Sequence, residues 1–123
     1  IGKRGELFVY DSLKAIYKRK YQEDIIETDF GFKIGHYLEV NWTNIGGVES
    51  GLNYDFLIKE KGKEIYVESK ATAFSEGTEH LEFELTINEF KLMKSAEKYF
   101  VARVFNVTTE PKMKLVRLKL DKL

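Results

Sequence analysis

Asp55, Glu68 and Lys70 are the residues of this 123-residue chain whose types and spacing could do chemistry together. Glu68 and Lys70 stand two apart in Glu64-Ile65-Tyr66-Val67-Glu68-Ser69-Lys70, a run that reads as a strand. Their side chains therefore share one face, while Ile65, Val67 and Ser69 point the other way. Asp55-Phe56-Leu57-Ile58 reads as the preceding strand and Lys61-Gly62-Lys63 as a tight turn between the two. Hairpin pairing can bring Asp55 to the end where Glu68 and Lys70 lie. Two carboxylates and an amine in one small volume suit a divalent cation held by hard oxygens beside a lysine that steers or activates water.

These residues need elements to position them. Residues 5–21 read as a helix with Leu7, Phe8, Leu13, Ile16 and Tyr17 as its apolar stripe. Glu6 falls in its first turn, where an acid complements the helix dipole, and Lys14, Lys18, Arg19 and Lys20 gather towards its other end. Residues 24–35 are polar and glycine-punctuated, an irregular loop with room for one short element. Residues 36–42 alternate as a strand with Leu38, Val40 and Trp42 on one face, and a glycine-rich loop over 44–51 leads into Asp55.

Beyond the hairpin, 73–80 reads as a polar loop and Leu81, Phe83 and Leu85 as a half-buried strand. Thr86 and Glu89 fit a capping box opening a helix over 87–98. Residues 99–107 are apolar except for Arg103 and Asn106, as a central strand would be. Pro111 breaks the chain before an edge strand over 113–120. The order α, β, β, β, β, α, β, β predicts an α/β fold, with a mixed central sheet flanked by helices.

The length allows one domain, 1–123, and 43% hydrophobic residues support a packed core. No apolar run is long enough to cross a bilayer and no secretory signal opens the chain. The lack of cysteine excludes thiolate metal sites and suits a cytoplasmic, intracellular setting. A first residue of isoleucine predicts a piece excised from a longer polypeptide, whose other domains would be its partners. Net charge is zero but uneven: six bases face two acids over 1–20, two face seven over 21–59, and five face two over 108–123. Such basic ends suit phosphate contact around an acidic middle, and equally suit solvated surface. A neutral domain should bind nucleic acid weakly and in a salt-sensitive way.

An ordered series of segments carries a family resemblance. Gly2-Lys3-Arg4-Gly5-Glu6, Val40-Asn41-Trp42, Tyr54-Asp55, the run 66–72 with Glu68-Ser69-Lys70, Phe83-Glu84-Leu85-Thr86-Ile87-Asn88-Glu89 and the run 99–107 follow in turn. The chain resembles the PD-(D/E)XK nuclease superfamily and, within it, the NO VEIN C-terminal domain family, a branch often appended to restriction and helicase-like proteins. Tyr54 stands where the superfamily name expects proline, and Ser69 where a bulky aliphatic is common.

The resemblance implies a restriction-endonuclease-like core and a Mg²⁺- or Mn²⁺-dependent DNA endonuclease, the cleavage module of a restriction or repair protein. Asp55 and Glu68 would ligate the metal, with the Ser69 carbonyl a further oxygen. Lys70 would orient or deprotonate water or balance charge, and Glu6 would reach the site from the helix. Apart from the resemblance, the basic run at the end of the first helix offers Lys18, Arg19 and Lys20 for phosphate contact. Thr72 could contact a phosphate or merely pair at its strand end, and the domain could pair with a second copy of itself.

The competing assignment is a catalytically inert module that keeps the nuclease fold for nucleic-acid or protein binding, its Glu and Lys merely paired across a hairpin. His36 and His80 lack neighbours at ligand spacing, and no nucleophile elbow or phosphate-cradling glycine loop is present. Asn88 and Glu89 read as helix-cap residues.

Overall fold

Helix α1, Gly2–Tyr21, buries Gly5, Val9, Tyr10, Leu13 and Tyr17, a stripe that repeats every fourth residue. It begins three residues before the expected start, so its first turn holds no acid and Glu6 lies in the second. A dipole role for Glu6 thereby weakens, because that effect fades beyond the first turn. The stripe is also rotated from expectation: Leu7 is 49% exposed and Ile16 is exposed as well. The computed structural model describes residues 2–45, 54–74, 89, 91–92 and 98–118.

Seven strands form one mixed sheet in chain order: β1 (Ile26–Glu27), β2 (Gly31–Ile34), β3 (Leu38–Trp42), β4 (Phe56–Glu60), β5 (Lys63–Ala71), β6 (Lys98–Phe105) and β7 (Lys112–Leu118). All neighbours are antiparallel except β5 and β6, which run parallel. The segment expected to be irregular thus forms the β1–β2 hairpin. Gly31 is required there, since a Cβ on it would lie 2.0 Å from the Val40 carbonyl oxygen of the neighbouring strand.

Lys61 and Gly62 both have positive φ, 50° and 82°, the pair of left-handed residues a type I′ turn demands. That turn sets Glu60 opposite Lys63 and Phe56 opposite Val67. The parallel β5–β6 pair needs a long crossover, which the chain supplies between 72 and 97. Within it Glu89, Lys91 and Leu92 are helical, while the expected strand over 81–85 and the expected cap Thr86 lie outside the described residues.

Helix α1 packs on one face of the sheet, with Val9, Tyr10, Leu13 and Tyr17 against Phe32, Val40, Phe56, Ile58, Val67, Ala102 and Val104. Tyr10, Phe32, Trp42 and Phe56 form an aromatic group with ring centroids 5.0–6.5 Å apart. The other face of β6 is buried too, through Tyr99, Val101 and Phe105. Burial on both faces explains the nearly unbroken apolar run of this strand. The outer strand β7 keeps charged Lys112, Lys114 and Arg117 along an exposed edge, which discourages further pairing. Among the described residues no helix is long and apolar enough to cross a membrane.

Candidate carboxylate and lysine site

The register that places Phe56 against Val67 places Asp55, one step earlier, across from Glu68. Asp55 sits where β4 frays. Its N–H donates to the Val67 carbonyl at 2.9 Å and its own carbonyl accepts from the Thr43 N–H at 2.9 Å. The side chain turns towards β5, and one carboxylate oxygen accepts the Ser69 N–H at 2.8 Å. The other accepts the Asn44 amide at 3.1 Å.

The same Asn44 amide donates to Glu6 at 3.1 Å, and the Trp42 indole N–H donates to the same Glu6 oxygen at 2.8 Å. Glu6 is therefore brought beside Asp55, by a strand end and a turn. The approach of α1 makes this geometry available. A Cβ on Gly5 would lie 2.4 Å from the Ala71 Cβ and 3.7 Å from the Ser69 hydroxyl. Small side chains on all three residues let the helix settle on β5. Ser69, standing where a bulky aliphatic is common, lies with Ala71 where the helix seats.

Glu68 and Lys70 share the face opposite α1, their charged atoms 3.6 Å apart. Lys70 also lies 3.5 Å from Glu89. Glu68 is 8% exposed and Glu89 7%. The Glu68 carboxyl lies close enough to those of Asp55 and Glu89 for a proton to be shared between neighbours. Burial raises the Asp55 carboxyl to about 6; the Ser69 N–H opposes that shift and the charge of Glu6 adds to it. Burial raises Glu68 further, to about 9, and the charges of Asp55 and Glu89 push the same way against Lys70. The cluster holds more negative charge than its one lysine balances.

The helix-cap role expected of Glu89 pairs it with Thr86, which lies outside the described residues; its carboxylate lies inside the cluster, against Lys70 and Glu68. Asn44 and Trp42 were not read as holding Glu6. Tyr99 carries no sequence pattern that singles it out, yet its hydroxyl is buried with no hydrogen-bond partner among the described residues, on the sheet face that carries Glu68. The charges of Glu68, Glu89 and Asp55 add to burial in holding that phenol protonated. Thr72 ties strand ends together, its N–H on the Val104 carbonyl at 2.9 Å and its hydroxyl accepting from the Phe74 N–H at 3.2 Å.

The basic cluster on α1 is not at this site. Glu6 and Lys20 are separated by about 21 Å at ~1.5 Å of helix per residue. Lys18 donates to the Glu23 carbonyl at 2.8 Å, and Lys20 bonds Glu60 and lies 5.4 Å from the Tyr21 ring centre. Arg19 is exposed.

The donor set suits a hard divalent cation, being carboxylate oxygens with uncompensated charge and a buried hydroxyl nearby. Among the described residues no three acids or histidines already stand as a ligand cage. The acids lie close to one another and raise one another's hold on protons, so a cation would bind by displacing those protons.

The family described as Protein NO VEIN, C-terminal, matches residues 5–116. No curated protein and no solved structure matches the chain. The chain belongs to the NO VEIN C-terminal family. That description, a C-terminal part, is consistent with further domains in the parent polypeptide.

Proposed function

We propose that this NO VEIN C-terminal domain is a Mg²⁺- or Mn²⁺-dependent DNA endonuclease module on a restriction-endonuclease-like core, cutting phosphodiester bonds for a restriction or repair protein. The observation that supports it is the meeting of Asp55, Glu68 and Lys70 at the open end of the β4–β5 hairpin, with both acids raised by burial, Asp55 further by the charge of Glu6 and Glu68 by those of Asp55 and Glu89. Asp55 and Glu68 would hold the cation, with the Ser69 carbonyl as a further oxygen. When bound, it would neutralise charge on the phosphate and acidify water.

The chain's own residues do the rest. Asn44 and the Ser69 N–H fix the Asp55 carboxylate, leaving it one orientation to offer. Lys70, held between Glu68 and Glu89, can donate to a water or to a phosphate oxygen as charge develops there. Glu6 adds negative charge beside Asp55 and strengthens its pull on a cation.

The second reading, an inert module that binds nucleic acid or protein, is favoured by one observation: the acids lie close enough to share protons. Calorimetric titration with Mn²⁺ separates the two. The nuclease reading expects binding that Asp55→Ala removes, and metal-dependent plasmid cleavage by the wild type. A blank trace for both proteins, with no cleavage, leaves the inert module standing.

A further inference from the structure

The turn end of the sheet carries a cavity that shares no residue with the carboxylate cluster. Its volume is about 340 Å³, and it is lined by Lys33, His36, Tyr37, Glu39, Lys59 and Lys61 together with backbone of the two turns. Lys33, Glu39 and Lys59 are cross-strand neighbours on one sheet face. Three lysines face one glutamate in the lining, and with the Glu23 carboxylate beside Gly35 the surroundings keep an excess of one positive charge.

The tyrosine is held in place from three sides. Its ring stacks on Tyr21 at 5.4 Å and 5°. Gly35, at φ 51°, lets the turn lie close against that ring, where a Cβ would come within 2.9 Å of it. The Lys61 N–H donates to the Tyr37 carbonyl at 2.9 Å, joining the β2–β3 and β4–β5 turns. Tyr37 is nonetheless 42% exposed. A fixed, half-exposed aromatic plane among lysines is the arrangement that stacks a base and neutralises its phosphate.

We propose that this cavity binds a nucleotide unit, with its base on Tyr37 and its phosphate among Lys33, Lys59 and Lys61. The volume lies within the range of small-ligand sites. The unit can be a free mononucleotide or one residue of a single strand. Lys59 shares a sheet face with Asp55 and stands four residues along β4, about 13 Å at ~3.3 Å per residue.

The test is amide NMR on the 123-residue chain in EDTA, which silences any metal at the carboxylates. AMP, inorganic phosphate and (dT)12 are titrated separately. Shifts should centre on Gly35, Tyr37, Lys61 and Gly62. Tyr37→Ala should weaken AMP or (dT)12 about tenfold while sparing phosphate. Lys33→Ala or Lys59→Ala, both of exposed side chains, should weaken binding and lower the salt slope for (dT)12 by about one. AMP binding identifies a free nucleotide as the source, and binding of (dT)12 alone identifies a strand. No shifts with any probe, shifts elsewhere, or affinity indifferent to Tyr37→Ala overturns the proposal.

Discussion

The two ends of the β4–β5 hairpin use the same residue types to opposite effect. At the turn end, Glu60 accepts hydrogen bonds from Lys20 and Tyr21. Burial pushes its carboxyl up, yet those bonds and the charges of Lys20 and Lys61 outweigh it, and the group stays below its ordinary range. At the open end, Glu68 faces a lysine too, but it is more deeply enclosed and lies against two other acids. Burial and like charge win there, and the proton is held. A glutamate beside a lysine is thus surface chemistry at one end and a poised cluster at the other. The number of acids per lysine decides, together with access to water.

The sharpest way to break this contrast is to remove one lysine from each end. Lys70→Ala should lower metal-dependent cleavage roughly a hundred- to a thousandfold, about 2.7–4 kcal/mol, as loss of a charge-stabilising donor does. Lys20→Ala should leave the cleavage rate within about twofold, since Lys20 lies about 21 Å of helix from Glu6. Plasmid cleavage with Mn²⁺ checks both, beside thermal melts. Equal activity of Lys70→Ala and wild type would place both lysines in the structural class.

The next largest effect concerns how the open end is assembled. Gly5→Ala drives a Cβ towards the Ala71 Cβ, 2.4 Å away on a strand that cannot yield. The clash should cost about 1–3 kcal/mol by denaturant unfolding, more than the ~1 kcal/mol a helix gains from replacing glycine. Adding Ala71→Gly should recover most of the loss if the contact is the cause. A double variant no more stable than Gly5→Ala alone would locate the strain elsewhere.

The contrast also marks what the sequence could and could not disclose. The β4–β5 hairpin was legible because its signals are local: a glycine turn, and alternation that puts Glu68 and Lys70 on one face. The β1–β2 hairpin was not, since β1 is two exposed residues and carries no periodicity. The site was legible in Asp55, Glu68 and Lys70, whose meeting needs only that hairpin. Glu89 depends on where the crossover returns to the sheet, and Asn44 on how a turn reaches both Glu6 and Asp55. Those are long-range facts. Even Leu7 and Ile16 fit the helical period, and the helix simply turned another face inward.

The held protons give a pH signature that sharpens the comparison. Glu68 is raised from 4.5 to about 9 and Asp55 from 3.8 to about 6. The folded chain then binds protons that the unfolded chain has released, so this contribution is complete below the unfolded values and is lost as pH rises through the folded ones. The metal-free domain should melt at falling temperature from about pH 4.5 to about pH 9. Glu68→Gln should flatten the upper part of that slope, and Mn²⁺ should oppose it. Melting curves at stepped pH in EDTA would show this, and a profile unchanged by Glu68→Gln would place the held proton on another group.

The smallest effect is expected at the turn end, and its size is the point. Lys20 and Glu60 are charged partners, but the lysine side chain is half exposed and the helix end around it is solvated. An ion pair of that kind contributes about 0.2–1 kcal/mol, because water competes for both charges and a long side chain must be held still. Glu60 also keeps a second donor in Tyr21, so removing the lysine leaves its carboxylate bonded. Lys20→Ala should therefore lower stability by no more than about 1 kcal/mol. Part of that loss should vanish in 1 M salt, where the screening length falls to about 3 Å. Lys70→Ala, at the enclosed end, should show a loss that salt scarcely changes. Urea unfolding of both variants at low and high salt measures the four values. If the Lys20 loss proved as salt-resistant as the Lys70 loss, burial would not be what distinguishes the two ends.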